Sequence, residues 1–343
     1  MGGDYAPAQI VVGAVESAVG LQDVKILLVG QLSSIEAELA KLPKDLKKDS
    51  QAAIESGKLE LIHAPDVAEM DESPVDAVRH KKDCSINVAM RLVKEGRANA
   101  FVSAGNSGAV ATSAILVLGR IPGVKRPAIA TVLPNRNPKR PLMVLDAGAN
   151  MDCHPEWLVQ FALMGNAYSK AVLKRGVPAV GLLSIGTEDC KGNEMTKATF
   201  PLLKQVKDIN FVGNIEGKDL YKGHIDVAVC DGFVGNVVLK TTESIAKAMG
   251  YWLKKECFKG PLRILGALLL KGAFHSLKNQ LDPEIYGGAP LLGVPGAVII
   301  THGSSTHKAI YYAVKAGVAA ATNDVSGLIA KAIAEHAEDQ EQK

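Results

Sequence analysis

Five times along this chain a short apolar run opens directly into a glycine-containing polar loop: VSAGNSGA, LDAGANMD, LSIGTEDCKGN, VCDGFVGN and ITHGSSTH. Nothing else in the sequence constrains the fold as tightly. Strands of a parallel sheet are covered on both faces by helices, so they read as continuous apolar runs rather than as alternating ones. The runs at Lys25–Val29, Leu59–Ile62, Ala100–Ser103, Ile129–Leu133, Met143–Leu145, Val180–Ser184, Phe211–Val212, Val227–Cys230 and Val298–Thr301 have that character. Longer amphipathic stretches separate them, which predicts an α/β fold: a doubly wound, mostly parallel sheet with helices on both faces. Ligands of such sheets sit beyond the carboxyl ends of the strands. Small residues there let backbone amides approach a ligand, and a helix N-terminus behind each loop favours an anion. The five loops are therefore expected to form one anion-binding rim.

With 343 residues and 47% hydrophobic content the chain can bury a large core. It shows no internal repeat, low-complexity tract or clear linker, so residues 1–343 read as one domain. A protruding element is expected at Glu243–Asp282: a long helix through KTTESIAKAMGYWLKKECF, a break at Gly260-Pro261, then PLRILGALLLKGAFHSLK. The acidic tail Glu335–Lys343 is expected to fray. A formal net charge of only +3 gives no reason to expect nucleic-acid binding. Between Lys247 and Lys278, however, seven basic residues (Lys247, Lys254, Lys255, Lys259, Arg263, Lys271, Lys278) face one acid, Glu256, a local excess of +6. Together with the apolar run Ile264–Leu270, this suggests an interfacial membrane contact or an acidic partner. A dimer interface with solvated lysines is the plainer alternative, and both can hold at once. No apolar run approaches the roughly 20 residues of a membrane span, and MGGDYAP lacks the features of a signal peptide. The cysteines (Cys84, Cys153, Cys190, Cys230, Cys257) form no C-x-x-C pair, so a reduced, cytoplasmic protein is expected.

The chain has no G-x-x-x-x-G-K-[ST], G-x-G-x-x-G, G-x-S-x-G or H-E-x-x-H. Nucleoside triphosphate and dinucleotide binding, a serine nucleophile elbow and a catalytic metal thus lack their signatures. The remaining chemistry is expected to be positioning and electrostatics, without a cofactor or a metal. Asn106 and Ser107, in Ala104–Gly108, can hold phosphate oxygens or simply cap the helix behind them. Lys191, beside Gly192, can neutralise a phosphate or an oxyanion, or be solvated. Asn236 and Lys240 fall four apart on one helical face, either turned to the rim or an ordinary surface pair. His302 has the most site-like setting of the eight histidines, ending the last strand beside Gly303, Ser304 and Ser305.

The ordered motifs MGGDYAP, DAVRHKKDCS, SAGNSGA, LDAGANMDC, GLLSIGTEDCKGNE, NFVGNIEGKDL, VCDGFVGNVVLKT, YGGAPLLGV and HGSS strongly resemble the bacterial phosphate acyltransferases (the PlsX family), from Met1 to about Ala320. The resemblance implies a fold akin to phosphotransacetylases and isopropylmalate dehydrogenases, an α/β/α sandwich. It also implies a homodimer and transfer of a long-chain acyl group from acyl carrier protein to inorganic phosphate. The acyl phosphate would feed a membrane glycerol-3-phosphate acyltransferase and so phospholipid synthesis. On this basis Asp4, Gly105, Asn106, Ser107, Asn193, Asp231, Lys240, Ser304 and Ser305 are expected to bind phosphate or acyl phosphate, and Lys191, His302 and Asn236 to act on the reacting groups. Leu265, Leu268 and Leu269 are expected to touch the inner face of the cell membrane, like the family's apolar hairpin. Two departures stand out. The short strand that precedes the MGGD motif in the family is absent from this numbering, and His80 and Cys84 stand where a basic residue and serine are expected. A short-chain phosphotransacetylase using coenzyme A, a dehydrogenase of the related fold and a non-catalytic membrane-docking scaffold are the rival readings.

Overall fold

A computed structural model describes residues 1–341, apart from the side chain of Pro283. The strands are β1 (Ile26–Gly30), β2 (Leu59–His63), β3 (Ala100–Ser103), β4 (Ala128–Leu133), β5 (Leu142–Leu145), β6 (Ala179–Leu183), β7 (Asn210–Ile215), β8 (Val227–Val229), β9 (Ala289–Leu292) and β10 (Ala297–Ile300). The helices of the first half are α1 (Ala8–Gly20), α2 (Leu32–Lys41), α3 (Lys44–Glu55), α4 (Pro74–His80), α5 (Ser85–Lys94), α6 (Ser107–Ser113) and α7 (Pro155–Ala171). Those of the second half are α8 (Glu194–Lys204), α9 (Gly232–Cys257), α10 (Pro261–Leu269), α11 (Lys271–Leu281), α12 (His307–Thr322) and α13 (Val325–Glu341).

All nine expected strands are present within two residues at each end, save β7, which is longer. The tenth, β9, is the one that sequence reasoning missed. It carries Pro290 opposite Ile299 in the middle of the sheet, and a proline there normally argues against a central strand because it cannot donate to the ladder.

An eight-stranded sheet runs in the order β3-β10-β9-β4-β5-β8-β6-β7, and β1 pairs with β2 apart from it. Four of its pairings are parallel, β10 with β3, β5 with β8, and β6 with both β8 and β7. Three in the middle are antiparallel, β10 with β9, β9 with β4, and β4 with β5. The mostly parallel sheet thus holds, but β5, β6 and β8 run opposite to β3 and β10. The expectation of a single rim needs correction: two of the glycine loops leave one end of the strands and three leave the other. A sheet twists by roughly 20–25° per strand, and β3 and β8 are five steps apart in the sheet order. That accumulated twist, on the order of 100°, keeps the strands of the two halves from lying antiparallel in one plane.

Helix α7 anchors the larger core. Its sequence is apolar nearly all round, as a helix buried on every side requires, and Leu158, Phe161, Leu163 and Met164 are fully buried against β4, β5, β6, β8 and α13. Each contributes on the order of 1.5–3 kcal/mol relative to exposure. A second core joins α4, α5 and α6 to β3, β9 and β10, and a third joins α1, α2 and α3 to β1 and β2.

Helix α9 begins at Gly232, well before the expected start of the protruding element. Only Gly232 and Gly235 of its 26 residues are buried, and α10 and α11 contain no buried residue. The tail expected to fray is helical through Glu341, and Asp339 accepts from Lys207 Nζ at 3.1 Å. Residues 342 and 343 lie outside the described residues. No helix among the described residues is long and apolar enough to cross a membrane.

Candidate active site

The first cluster gathers where β3 and β10 end. The backbone N–H of Asp4 donates to Gly303 O at 2.8 Å, which ties the N-terminal segment to the loop after β10. Gly105 N donates to Ser103 Oγ at 3.0 Å. Asn106 is wholly occupied: its Oδ1 accepts from Ala109 N, while its Nδ2 donates to the carbonyls of Glu69, Met70 and Glu72 at 3.1–3.3 Å. Its side chain therefore caps α6 and fastens the Glu69–Glu72 segment, and has no donor left for phosphate. Ser107, next in the chain, is exposed, and Ser305 is buried.

His302 is exposed, and its Nδ1 lies 2.7 Å from Ser304 Oγ and 3.1 Å from Ser304 N. A backbone N–H can only donate, so Nδ1 accepts and a neutral ring carries its proton on Nε2. The loop thus holds an N–H donor facing solvent. The nearby Lys81 is committed elsewhere: it donates to Glu72 at 2.7 Å, and that contact holds the Glu72 carboxyl below and the Lys81 ammonium above their usual ranges.

The second cluster lies where β5, β6 and β8 end. Its hub is Asp146, fully buried, which accepts from the backbone N–H groups of Ile129, Gly148, Ala149 and Asn150 and from Asn150 Nδ2, at 2.7–3.1 Å. Burial pushes its carboxyl up, and these donors pull against that shift. The start of α9 packs directly on this loop. Gly232 N donates to Asn150 O at 2.7 Å, and a Cβ on Gly235 would come within 1.8 Å of Asp146 O, so only glycine fits.

Asp231 Oδ1 caps α9 by accepting from Val234 N at 2.8 Å, and Asn193 Oδ1 caps α8 by accepting from Thr196 N at 2.9 Å. Both residues were expected to bind phosphate; one oxygen of each satisfies a helix amide, while Asn193 Nδ2 and Asp231 Oδ2 make no hydrogen bond among the described residues. Asn236 is exposed and stands over Gly148, whose Cβ would lie 3.7 Å from its Oδ1. Lys240 is exposed, with Nζ 3.4 Å from Glu243 Oε2. Lys191 is exposed, and its Nζ has no hydrogen-bond or ion-pair partner among the described residues. No hydrogen bond among the described residues joins the two clusters. Asp146 was the functional-looking residue that sequence reasoning passed over, although an aspartate followed by Ala-Gly-Ala-Asn is the usual signature of a side chain bonded to its own loop.

The sequence profile of the family described as "Fatty acid synthesis protein" matches residues 1–328. The chain belongs to this family. Its curated relatives are phosphate acyltransferases. That of Lawsonia intracellularis (strain PHE/MN1-00) is 48% identical over 319 residues, covering 93% of this chain and 88% of the relative. That of Pelotomaculum thermopropionicum is 50% identical over 315 residues, covering 92% and 88%. Among solved structures, the EutD phosphotransacetylase from Staphylococcus aureus superposes with a TM-score of 0.57 at 16% identity, covering 92% of this chain and 91% of that one. A phosphotransacetylase from Streptococcus pyogenes gives 0.56 at 15%, covering 91% and 98%. At those identities the likeness establishes a phosphotransacetylase-like α/β fold. Membership of the phosphate acyltransferase family makes this chain an acyltransferase enzyme.

Proposed function

We propose that the protein transfers a long-chain acyl group from the thioester of acyl carrier protein to inorganic phosphate, releasing an acyl phosphate for phosphatidic acid synthesis by a membrane glycerol-3-phosphate acyltransferase. The observation that carries this reading is His302, whose Nδ1 is taken by the Ser304 amide so that Nε2–H is the outward donor. Phosphate is anionic at neutral pH and needs no strong base to attack a carbonyl carbon. The enzyme must instead hold two repelling partners together, stabilise the oxyanion and ease the departure of the thiolate.

In the proposed mechanism a phosphate oxygen, seated by Ser107, Ser304 and His302, forms the new C–O bond. Lys191 faces the same cleft from the other half and stabilises the oxyanion, with Asn236 and Lys240 along its wall. The C–S bond then breaks, and the thiolate takes a proton from a nearby donor. Placing both clusters on this cleft is part of the proposal, and it is compatible with a sheet twisted so far that the two sets of strand ends do not point in directly opposite directions.

The protruding α9–α11 element is proposed to meet the membrane and the partner proteins. Leu265, Leu268 and Leu269 are 55%, 64% and 80% exposed, on a helix that buries nothing. Helices of this kind, with basic residues beside the apolar ones, lie in the membrane interface. A homodimer, and peripheral attachment at the inner face of the cell membrane, complete the reading.

The deciding assay follows release of the carrier thiol. Phosphate-dependent release from a long-chain acyl carrier substrate, with acetyl-coenzyme A a poor substitute, is the expected result. Preference for acetyl-coenzyme A would move the protein to the short-chain phosphotransacetylases, and no phosphate-dependent release from either would leave a docking scaffold.

A further inference from the structure

Strand β7, at the edge of the sheet, carries a bulge. Val180 pairs with Phe211 and Leu182 with Asn214, so Gly181 alone faces Val212 and Gly213. Gly213 sits at φ +95°, a conformation that favours glycine. An extra residue in one strand inverts the facing of everything after it, and bulges are a recurrent way to re-aim a side chain beside a site. Here the residue re-aimed is Asn214. Its Nδ2 crosses to the loop after β6 and donates to Glu188 O at 2.9 Å and, more weakly, to Lys191 O at 3.5 Å. Ser184 Oγ donates to Lys191 O at 3.2 Å from the other side. Asn214 is only 5% exposed, and its Oδ1 has no partner. A buried unpaired oxygen is unfavourable, so the side chain's bonding is spent on this loop alone.

We propose that Asn214 is a positioning residue for the reaction, holding the backbone from Glu188 to Lys191 so that the free Lys191 ammonium is presented to the cleft. The inference rests on the reading that Lys191 stabilises the reacting oxyanion. It assigns the bulge and the buried amide a role that neither chain packing nor strand pairing requires. Asn214 touches no reacting atom and acts only through the lysine it places.

A double-mutant cycle tests it, with kcat and KM measured for K191A, N214A and K191A/N214A, and thermal unfolding followed in parallel. K191A is expected to lower kcat on the order of 10²–10³-fold. N214A should lower kcat on the order of 10-fold, a displacement effect, with KM for the acyl carrier substrate unchanged. The double variant should match K191A alone. N214S, which keeps one donor, should recover most of the loss, and if the alanine variant does not fold, N214D, which keeps the side chain's size but removes its donor, takes its place in the cycle. Losses that multiply in the double variant, or an N214A kcat equal to wild type beside an impaired K191A, would overturn the role of Asn214 and leave Lys191 standing. A K191A enzyme with full turnover would overturn the reading of Lys191 itself, and this inference with it.

Discussion

Asn106 and His302 sit in the same cluster and illustrate how differently two polar residues can be used. Every hydrogen-bonding group of the Asn106 side chain is committed to the protein, so Asn106→Ala should act on stability, costing about 1–2 kcal/mol as a lost helix cap, with little effect on KM for phosphate. Chemical denaturation beside steady-state kinetics checks both halves of that statement. His302→Ala removes a donor that faces solvent and should lower kcat on the order of 10²–10³-fold while the unfolding midpoint moves little. The cysteines divide in a similar way. Burial, with Asp146 beside it, pushes the Cys153 thiol up to about 12, and Cys230 is pushed up by complete burial. Both remain protonated and inert at neutral pH. Cys190 is exposed and adjoins Lys191. An alkylating reagent at pH 8 should therefore modify Cys190 before Cys153, Cys230 or Cys84, and turnover should fall with it. Peptide mapping identifies the labelled thiol, and a Cys190→Ser enzyme that loses activity just as fast would refute the assignment.

Among the elements, α10 is the most unusual. Gly260-Pro261 gives it a sharp start, and α10 and α11 leave every one of their residues at least partly exposed. Exposed apolar surface of this extent usually marks an interaction site. Replacing Leu268 or Leu269 with glutamate places a charge where the proposed membrane face would bury it. Flotation of either variant with anionic liposomes should be abolished, while turnover of a soluble acyl carrier substrate stays within about two-fold of wild type. If both variants still float, the segment belongs to a contact between copies of this chain. The basic residues of α9 to α11 are, in part, already neutralised, since Arg263 and Lys259 both reach Glu256. Lys247, Lys254, Lys255, Lys271 and Lys278 make no ion pair among the described residues, so the proposed contact with an acidic surface would fall to them.

For the whole molecule, the net charge of +3 conceals an asymmetry, because residues 247–278 of the protruding element carry +6 and the rest of the chain is therefore net negative. On the proposed reading the acidic acyl carrier protein is the acyl donor, and its encounter with that element should then be steered and screenable. KM for the carrier substrate is expected to rise several-fold between about 50 mM and 500 mM salt while kcat changes little. A KM indifferent to salt would remove the basic element as the docking point. The same scale explains why five similar loops do not make one rim. Three antiparallel pairings at the centre of the sheet reverse the right-hand strands, and the loops divide between the two ends as a result.

The α/β class, nine of the ten strands and the family membership were legible in the residues, because continuous apolar runs, loop glycines and long ordered motifs are local properties of a chain. The tenth strand was hidden by Pro290, whose tolerance in mid-sheet depends on neighbours far away in sequence. Which polar residues are free was equally out of reach. Asn106, Asn193 and Asp231 all look like ligands in the sequence, yet Asn106 is wholly committed while Asn193 and Asp231 each give one oxygen to a helix end, and Asp146 and Asn214 gain their importance from carbonyls and amides brought in by other parts of the chain. A residue's type states what bonds it can make. Strand sense, twist and packing determine which of those bonds the protein has already used.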